Sequence, residues 1–275
     1  MNLDSQSAAG LGAWRREPST EVRPGRALPA GKPSSSVIYA ESETPAAPLE
    51  WDLHAHPLHE LVWVRGGTLT TRVGNRIFTL TDGEGLWLPA GHVHAGRITA
   101  KVEFHCAFFT PERTPLAFNG PTTITMNPLL ESLLLHLSRT DLDDAARARA
   151  ELVVFDVVEP SSRQIDLQLP GDPRIDVIAK TLMTDPSDGR SLDDWALHLG
   201  TSGRTITRAF RRTTGLSFAQ WRRTFRVHHA LALLADGWDV RATSEQLGYA
   251  QPSSFIEAFH AVMGTTPGAF LNSSQ

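Results

Sequence analysis

Residues 54–60 read HAHPLHE, which puts His54, His56, His59 and Glu60 within seven positions. On an extended strand His54, His56 and Glu60 share one parity and project to one face, while His59 projects to the other. Imidazole nitrogens and a carboxylate on one face can hold a divalent cation or hydrogen-bond a small polar molecule. The pattern continues as H-x-H-x3-E-x6-G, ending at Gly67. A second run, G-x5-P-x-G-x2-H, goes from Gly83 through Pro89 and Gly91 to His94. A different chemistry is concentrated downstream. Between residues 201 and 230 stand seven arginines (204, 208, 211, 212, 222, 223 and 226) and no acid. Such a basic island suits a polyanion, although a solvated helical face has the same composition.

These groups need elements to position them. A chain of 275 residues, 41% hydrophobic and 20% charged, is long enough for two modest soluble domains. Its net charge of −4 is uneven, because residues 174–275 carry eleven Lys and Arg against nine Asp and Glu, leaving −6 for the rest. The apolar runs are too short to span a bilayer, and the N-terminus lacks the basic-then-apolar pattern of a secretory signal. The single Cys106 excludes an intramolecular disulfide and fits a reducing, cytoplasmic setting. Between Phe104 and Phe108 it reads as core filling.

Residues 1–35, rich in Gly, Pro, Ser and Ala, read as a flexible tail. Residues 36–125 have the texture of short strands: ELVWVRGG, a hairpin in TLTTRVGNRIFTL around Gly74-Asn75, then GLWLPAG and KVEFHCAFF. Over residues 126–160 the period becomes helical, with a Leu129–Leu137 stripe and a second helix from Asp143 to about Val158. That stripe suits packing on its own barrel as well as on a partner. Residues 161–173, within EPSSRQIDLQLPGDP, read as a linker. Residues 174–275 read as all helical, with two similar helix–turn–helix units. In the first, a short helix from Leu192 breaks at Gly200, and Ser202 caps a second helix closed by Gly215. In the second, a short helix ends at Gly248 and another starts at Pro252 and runs to Gly264. A helix from about Phe218 to Ala235 joins the two units.

The LGY stretch followed by a Ser-rich helix, AF and MGTTPGAF resembles the second unit of the AraC/XylS family of transcription regulators. RTITRAFRRTTGLSFAQWRRTFRVHHALALL resembles that family's first unit and connecting helix. The resemblance covers about 100 residues without a gap. It implies two recognition helices in successive major grooves of promoter DNA, with Arg204, Thr207 and Arg208 as readers on the first. The arginine fork suits guanine O6 and N7. The second helix would offer Ser253, Ile256 and Glu257. Arg222, Arg223 and Arg226 on the connecting helix are expected in phosphate contacts or internal pairs. Phe210, Trp221, Leu231, Leu234, Phe255 and Phe259 are expected in the core. VRATSEQ departs from the family by placing Thr243 and Ser244 where apolar and small residues are usual.

The two N-terminal runs resemble both halves of the cupin signature, with Ile98 where a trailing Asn is usual. Carried over, the resemblance implies a divalent metal, Fe, Mn, Ni, Cu or Zn, held by His54, His56, Glu60 and His94, with His92 as the rival to His94. Histidines in such pockets also serve to hydrogen-bond an organic effector. The expected fold class is α+β multidomain: an N-terminal cupin-like β-barrel, connecting helices, and a C-terminal all-α domain. The expected function is a homodimeric transcription regulator, sensing a metal or small molecule and binding double-stranded promoter DNA. A metal-dependent cupin enzyme of the dioxygenase or isomerase type, fused to a DNA-binding domain, is the alternative.

Overall fold

The computed structural model describes residues 18–25, 36–162 and 166–273, and the chain divides into two compact units. The first is β-rich. Its strands are β1 (Glu21–Arg23), β2 (Ile38–Glu43), β3 (Leu49–His54), β4 (His59–Arg65), β5 (Leu69–Val73), β6 (Arg76–Leu80), β7 (Glu84–Leu88), β8 (His94–Ile98), β9 (Glu103–Phe109) and β10 (Thr122–Thr125). One sheet has the order β1-β3-β8-β5-β6 and the other β10-β7-β4-β9-β2. Pairing is antiparallel except where β1 lies parallel to β3. The expected barrel is thus two facing sheets that, among the described residues, are not hydrogen-bonded into one closed ring. The expected hairpin is present: β5 and β6 flank Gly74-Asn75, and Gly74 has φ +54, a conformation that favours glycine.

Alternation along β4 and β9 explains how the second sheet is buried on both faces. Val62, Val64, Cys106 and Phe108 point between the sheets, together with Trp51, Leu69, Phe78 and Leu88. Leu61, Trp63, Ala107 and Phe109 point outward, under two helices. LVWV is therefore apolar without a break, as a strand covered on both sides must be. Cys106 is buried in this core, as its Phe neighbours suggested.

The covering helices are α1 (Pro128–Leu137), capped by the Asn127 side chain, and α2 (Asp144–Val157), capped by Asp143. Leu130, Leu134 and Leu137 of α1 are buried against the unit's own second sheet, so most of the leucine stripe is used internally. Glu151 of α2 accepts hydrogen bonds from the N–H groups of Val37 and Ile38, at 2.8 and 3.0 Å, which ties α2 to the start of β2.

The second unit holds a short strand, β11 (Asp166–Gln168), and seven helices among the described residues. These are α3 (Asp176–Thr184), α4 (Leu192–His198), α5 (Gly203–Thr214), α6 (Phe218–Ala235), α7 (Val240–Gln246), α8 (Pro252–Met263) and α9 (Pro267–Ser273). β11 and the burial of Leu167 and Leu169 correct the reading of residues 161–173 as plain linker. The Trp221 indole N–H donates to the Gln168 carbonyl at 2.8 Å, giving that segment a packing role. Residues 163–165 lie outside the described residues.

Local chemistry sets the helix ends. Ser191 and Asp194 form a reciprocal capping box at α4, Ser202 caps α5, and Ser217 with Gln220 boxes α6. Each such cap contributes about 1 kcal/mol. Gly215 and Gly264 close α5 and α8 in the left-handed conformation. The two turns are copies of one another. Leu199, Gly200 and Thr201 donate to the carbonyls of Trp195, Leu197 and Ala196; Leu247, Gly248 and Tyr249 donate to those of Thr243, Glu245 and Ser244. Trp195, Phe210, Trp221, Phe255 and Phe259 are fully buried, each stabilising by about 1.5–3 kcal/mol.

Candidate functional site

The His/Glu cluster is built where the chain crosses from one sheet to the other. β3 ends at His54, β4 begins at His59, and Pro57, which cannot donate to a strand ladder, lies in the turn between them. The unbroken strand expected under residues 54–60 is therefore not formed. His56 projects from the turn, Glu60 from β4, and His94 from the start of β8, whose residue faces His54 across the β3–β8 ladder. Gly91, at φ +77, donates its N–H to the His56 carbonyl at 2.9 Å. The two sequence runs are thus hydrogen-bonded together beside their histidines.

His56, Glu60 and His94 are buried, and their ligand atoms all lie within 4.8 Å of one another. His56 Nε2 is 3.0 Å and His94 Nε2 is 3.4 Å from Glu60 Oε2. The opposite nitrogens are fixed by main chain: His56 Nδ1 donates to the Leu58 carbonyl at 2.8 Å and His94 Nδ1 to the His92 carbonyl at 2.9 Å. A carbonyl only accepts, so each Nδ1 carries a hydrogen and Nε2 is left as the free nitrogen. Two such nitrogens aimed at one carboxylate oxygen call for a cation, either a proton or a metal. Burial lowers the His56 pKa, but the hydrogen bond and charge of Glu60 outweigh it and leave the imidazole above its usual value. Burial raises Glu60, but bonds from His56 and His94 prevail and hold its carboxyl down at about 2.

His54 stands apart from this group of three. Its ring centroid is 4.3 Å from that of His94 but 6.2 Å from that of His56. Its Nδ1 also donates to a carbonyl, that of Asp52, at 2.7 Å. Burial, then repulsion from His94, lowers its pKa. Gly25 lies against it, where a Cβ would fall 2.5 Å from the His54 Cβ. The expected tail thus contributes β1 and Gly25 to the β-rich unit; residues 1–17 and 26–35 lie outside the described residues. His92 stays out of the cluster and contributes its carbonyl, and His59 packs on Trp87, away from it. The cavity, lined by His54, Glu60, His94, Trp51, Thr71 and Phe104 among others, has a volume of ≈ 20 Å³, room for about one water or one ion.

In the helical unit, α5 buries Ile206, Ala209 and Phe210 and exposes Arg204 and Arg208, with Thr207 half-buried between them. In α8, Phe255, Ala258 and Phe259 are buried, while Ser253, Ile256 and Glu257 are exposed. Arg211 is also exposed and extends the α5 row by one turn; its spacing from Arg204 and Arg208 was the available signal. The remaining arginines divide. Arg212 pairs with Asp172 at 2.6 Å. Arg222 donates to the Arg190 carbonyl at 2.7 Å, and Arg226 to those of Pro186, Ser187 and Asp188.

The sequence matches a helix-turn-helix domain model over residues 195–273 and an AraC-like ligand-binding domain model over residues 44–152. The chain belongs to the AraC family of transcription regulators. It is 28% identical over 226 residues to the HTH-type transcriptional regulator NimR of Escherichia coli, covering 80% of this chain and 81% of NimR. It is also 28% identical over 223 residues to the regulator RipA of Corynebacterium glutamicum, covering 76% of this chain and 61% of RipA. Among solved structures, ToxT of Vibrio cholerae is similar at 12% identity and a TM-score of 0.36, covering 88% of this chain and 99% of that one. The DNA-binding domain of AdpA, solved with a target DNA, is similar at 28% identity and a TM-score of 0.34, covering 37% of this chain and 92% of that one.

As an AraC-family member the protein is a DNA-binding transcription regulator with a ligand-binding domain. Its fold class is the expected one, a β-rich unit followed by a helical DNA-binding unit. Among the described residues no helix is long and apolar enough to cross a membrane. A His/Glu triad that could hold a metal lies within the span of the ligand-binding model.

Proposed function

We propose that this AraC-family regulator senses a divalent transition metal, held by His56, Glu60 and His94 with His54 beside them. The observation that carries the reading is the acceptor-only convergence of three buried groups, two of them with Nδ1 fixed by carbonyls as metal-bound imidazoles usually are. A volume of ≈ 20 Å³ suits an ion better than an organic effector. Two imidazoles, a carboxylate and a nearby third imidazole suit Fe, Mn, Ni, Cu or Zn. The metal would act as the signal itself, or anchor a small molecule through an open position.

The sensor is assigned to residues 36–125, the connecting and dimerisation helices to 126–160 and the DNA-binding domain to 174–275, with β11 in the segment between the last two. Homodimer formation is supported by apolar side chains left uncovered on the helices: Leu129, Leu152 and Val153 are 53%, 64% and 39% exposed. Arg204, Thr207 and Arg208 read bases from the first unit, and Ser253, Ile256 and Glu257 from the second. A metal that binds one docking of these helices better than another shifts the dimer between geometries, and with it promoter binding in the cytoplasm.

Two measurements test the reading. Elemental analysis of full-length protein from metal-replete cells is expected to give about one divalent ion per chain, lost in His94→Ala. Metal-free protein that still responds to inducer would sink the metal proposal. On a selected operator, Arg208→Ala is expected to relax preference at one base position by about 1–3 kcal/mol; equal losses on every sequence would contradict a reading role.

A further inference from the structure

Between α6 and α8 lies an open cleft of ≈ 460 Å³, lined by Arg222, Arg223, Arg226, Tyr249, Ser254 and Glu257, with three alanines. Three guanidinium groups from one face of α6 meet here. Arg222 and Arg226 spend part of their donors on backbone carbonyls, and no ion pair is formed by any of the three among the described residues. Glu257 is the one acid in the lining, so the cleft is net positive. Arg226 is buried and Arg222 half-buried, so their charges are poorly solvated. Burial lowers the pKa of both, and Arg226 is lowered further by Arg222 beside it. An anion entering the cleft would relieve both costs and meet unused guanidinium N–H groups together with the Tyr249 and Ser254 hydroxyls.

We infer that this cleft seats a backbone phosphate of the bound DNA, clamped between the connecting helix and the second recognition helix. The inference rests on the DNA-binding reading and adds a contact to it. Ser254 and Glu257 line the cleft, and Ser253, Ile256 and Glu257 form the exposed face of the same helix. A phosphate held here would fix the register in which that face meets the bases, without itself carrying sequence information. Arg223 is the exposed guanidinium of the three, so it can be removed without disturbing the core.

The experiment uses full-length protein and a duplex selected by it from a random pool. Fluorescence anisotropy is measured over a salt series for wild type, Arg223→Gln and, as an exposed cation outside the cleft, Lys180→Gln. Loss of one phosphate contact flattens the slope of log K against log salt by about 0.9. This is expected for Arg223→Gln on selected and scrambled duplexes alike, with Lys180→Gln unchanged. A scan of single methylphosphonate linkages is expected to find one backbone position whose neutralisation weakens wild type but not Arg223→Gln. An unchanged slope, the same slope change in Lys180→Gln, or methylphosphonate effects that add to Arg223→Gln at every position would overturn the inference. So would wild type recognising inorganic phosphate in the cleft while Arg223→Gln leaves the DNA slope intact. Failure of wild type to retain any duplex overturns the DNA-binding reading as well and is seen in the same titration.

Discussion

The two helix–turn–helix turns contain an internal control, because Gly200 and Gly248 occupy equivalent positions with φ of +60 and +70. Alanine at either position must adopt a left-handed backbone, which costs about 1–2 kcal/mol. At Gly200 that is the whole cost, since nothing lies within 4 Å of the added Cβ. At Gly248 the Cβ would fall 2.5 Å from the Ser187 carbonyl oxygen and 3.0 Å from its Cα. Both are backbone atoms, and the segment they belong to cannot easily yield. Arg226 holds it through the carbonyls of Pro186 at 2.9 Å, Ser187 at 3.3 Å and Asp188 at 3.0 Å. Overpacking of this kind adds about 1–3 kcal/mol. Gly248→Ala is therefore expected to destabilise the helical unit by about 1–3 kcal/mol more than Gly200→Ala. Urea denaturation of full-length protein, followed by far-ultraviolet circular dichroism, gives the two losses from their midpoints at common slope. Equal losses, or a larger one at Gly200, would refute the reasoning, because the segment before α4 would then not brace the second turn.

Two further expectations concern the same unit. His228 is buried, and burial pushes its pKa down to about 4. The unfolded chain binds a proton near 6.5 that the folded chain refuses, so this contribution is complete above pH 6.5. It should be lost as the pH falls toward 4, by about 3 kcal/mol in all; a flat stability profile across that window would contradict it. Thr243 is fully buried and its hydroxyl has no hydrogen-bond partner among the described residues. Thr243→Val, which keeps the shape and removes the hydroxyl, is expected to stabilise by about 1 kcal/mol or more, read as a higher urea midpoint. Destabilisation would reveal a partner for that hydroxyl.

Thr243 and its neighbour Ser244 show how far local departures from a family pattern can be read. Thr243 and Ser244 stand out in sequence as polar where apolar and small residues are usual. Both are nevertheless buried inside an intact α7, because Phe255, Phe259 and Leu247 are buried in the same unit and α7 packs on α6 and α8. The cost falls on two hydroxyls rather than on the fold.

What the sequence determined by itself was whatever short-range chemistry decides. Ser202 caps the helix it precedes, and Gly200, Gly215, Gly248 and Gly264 sit where a left-handed residue is required. Caps and glycine turns act within a few residues, so both helix–turn–helix units were legible before any packing was known. Parity singled out His54, His56 and Glu60 in HAHPLHE but assumed a single strand. Long-range packing makes the chain change sheets at Pro57, so that Glu60 meets His56 and His94 across the interior while His54 stays beside them under Gly25. It also divided seven arginines of one type into exposed groups at 204, 208, 211 and 223 and groups bound to Asp172 or to main-chain carbonyls at 212, 222 and 226. A charge is identical in every sequence context; what it can bind depends on which acceptors and how much water the folded chain leaves around it.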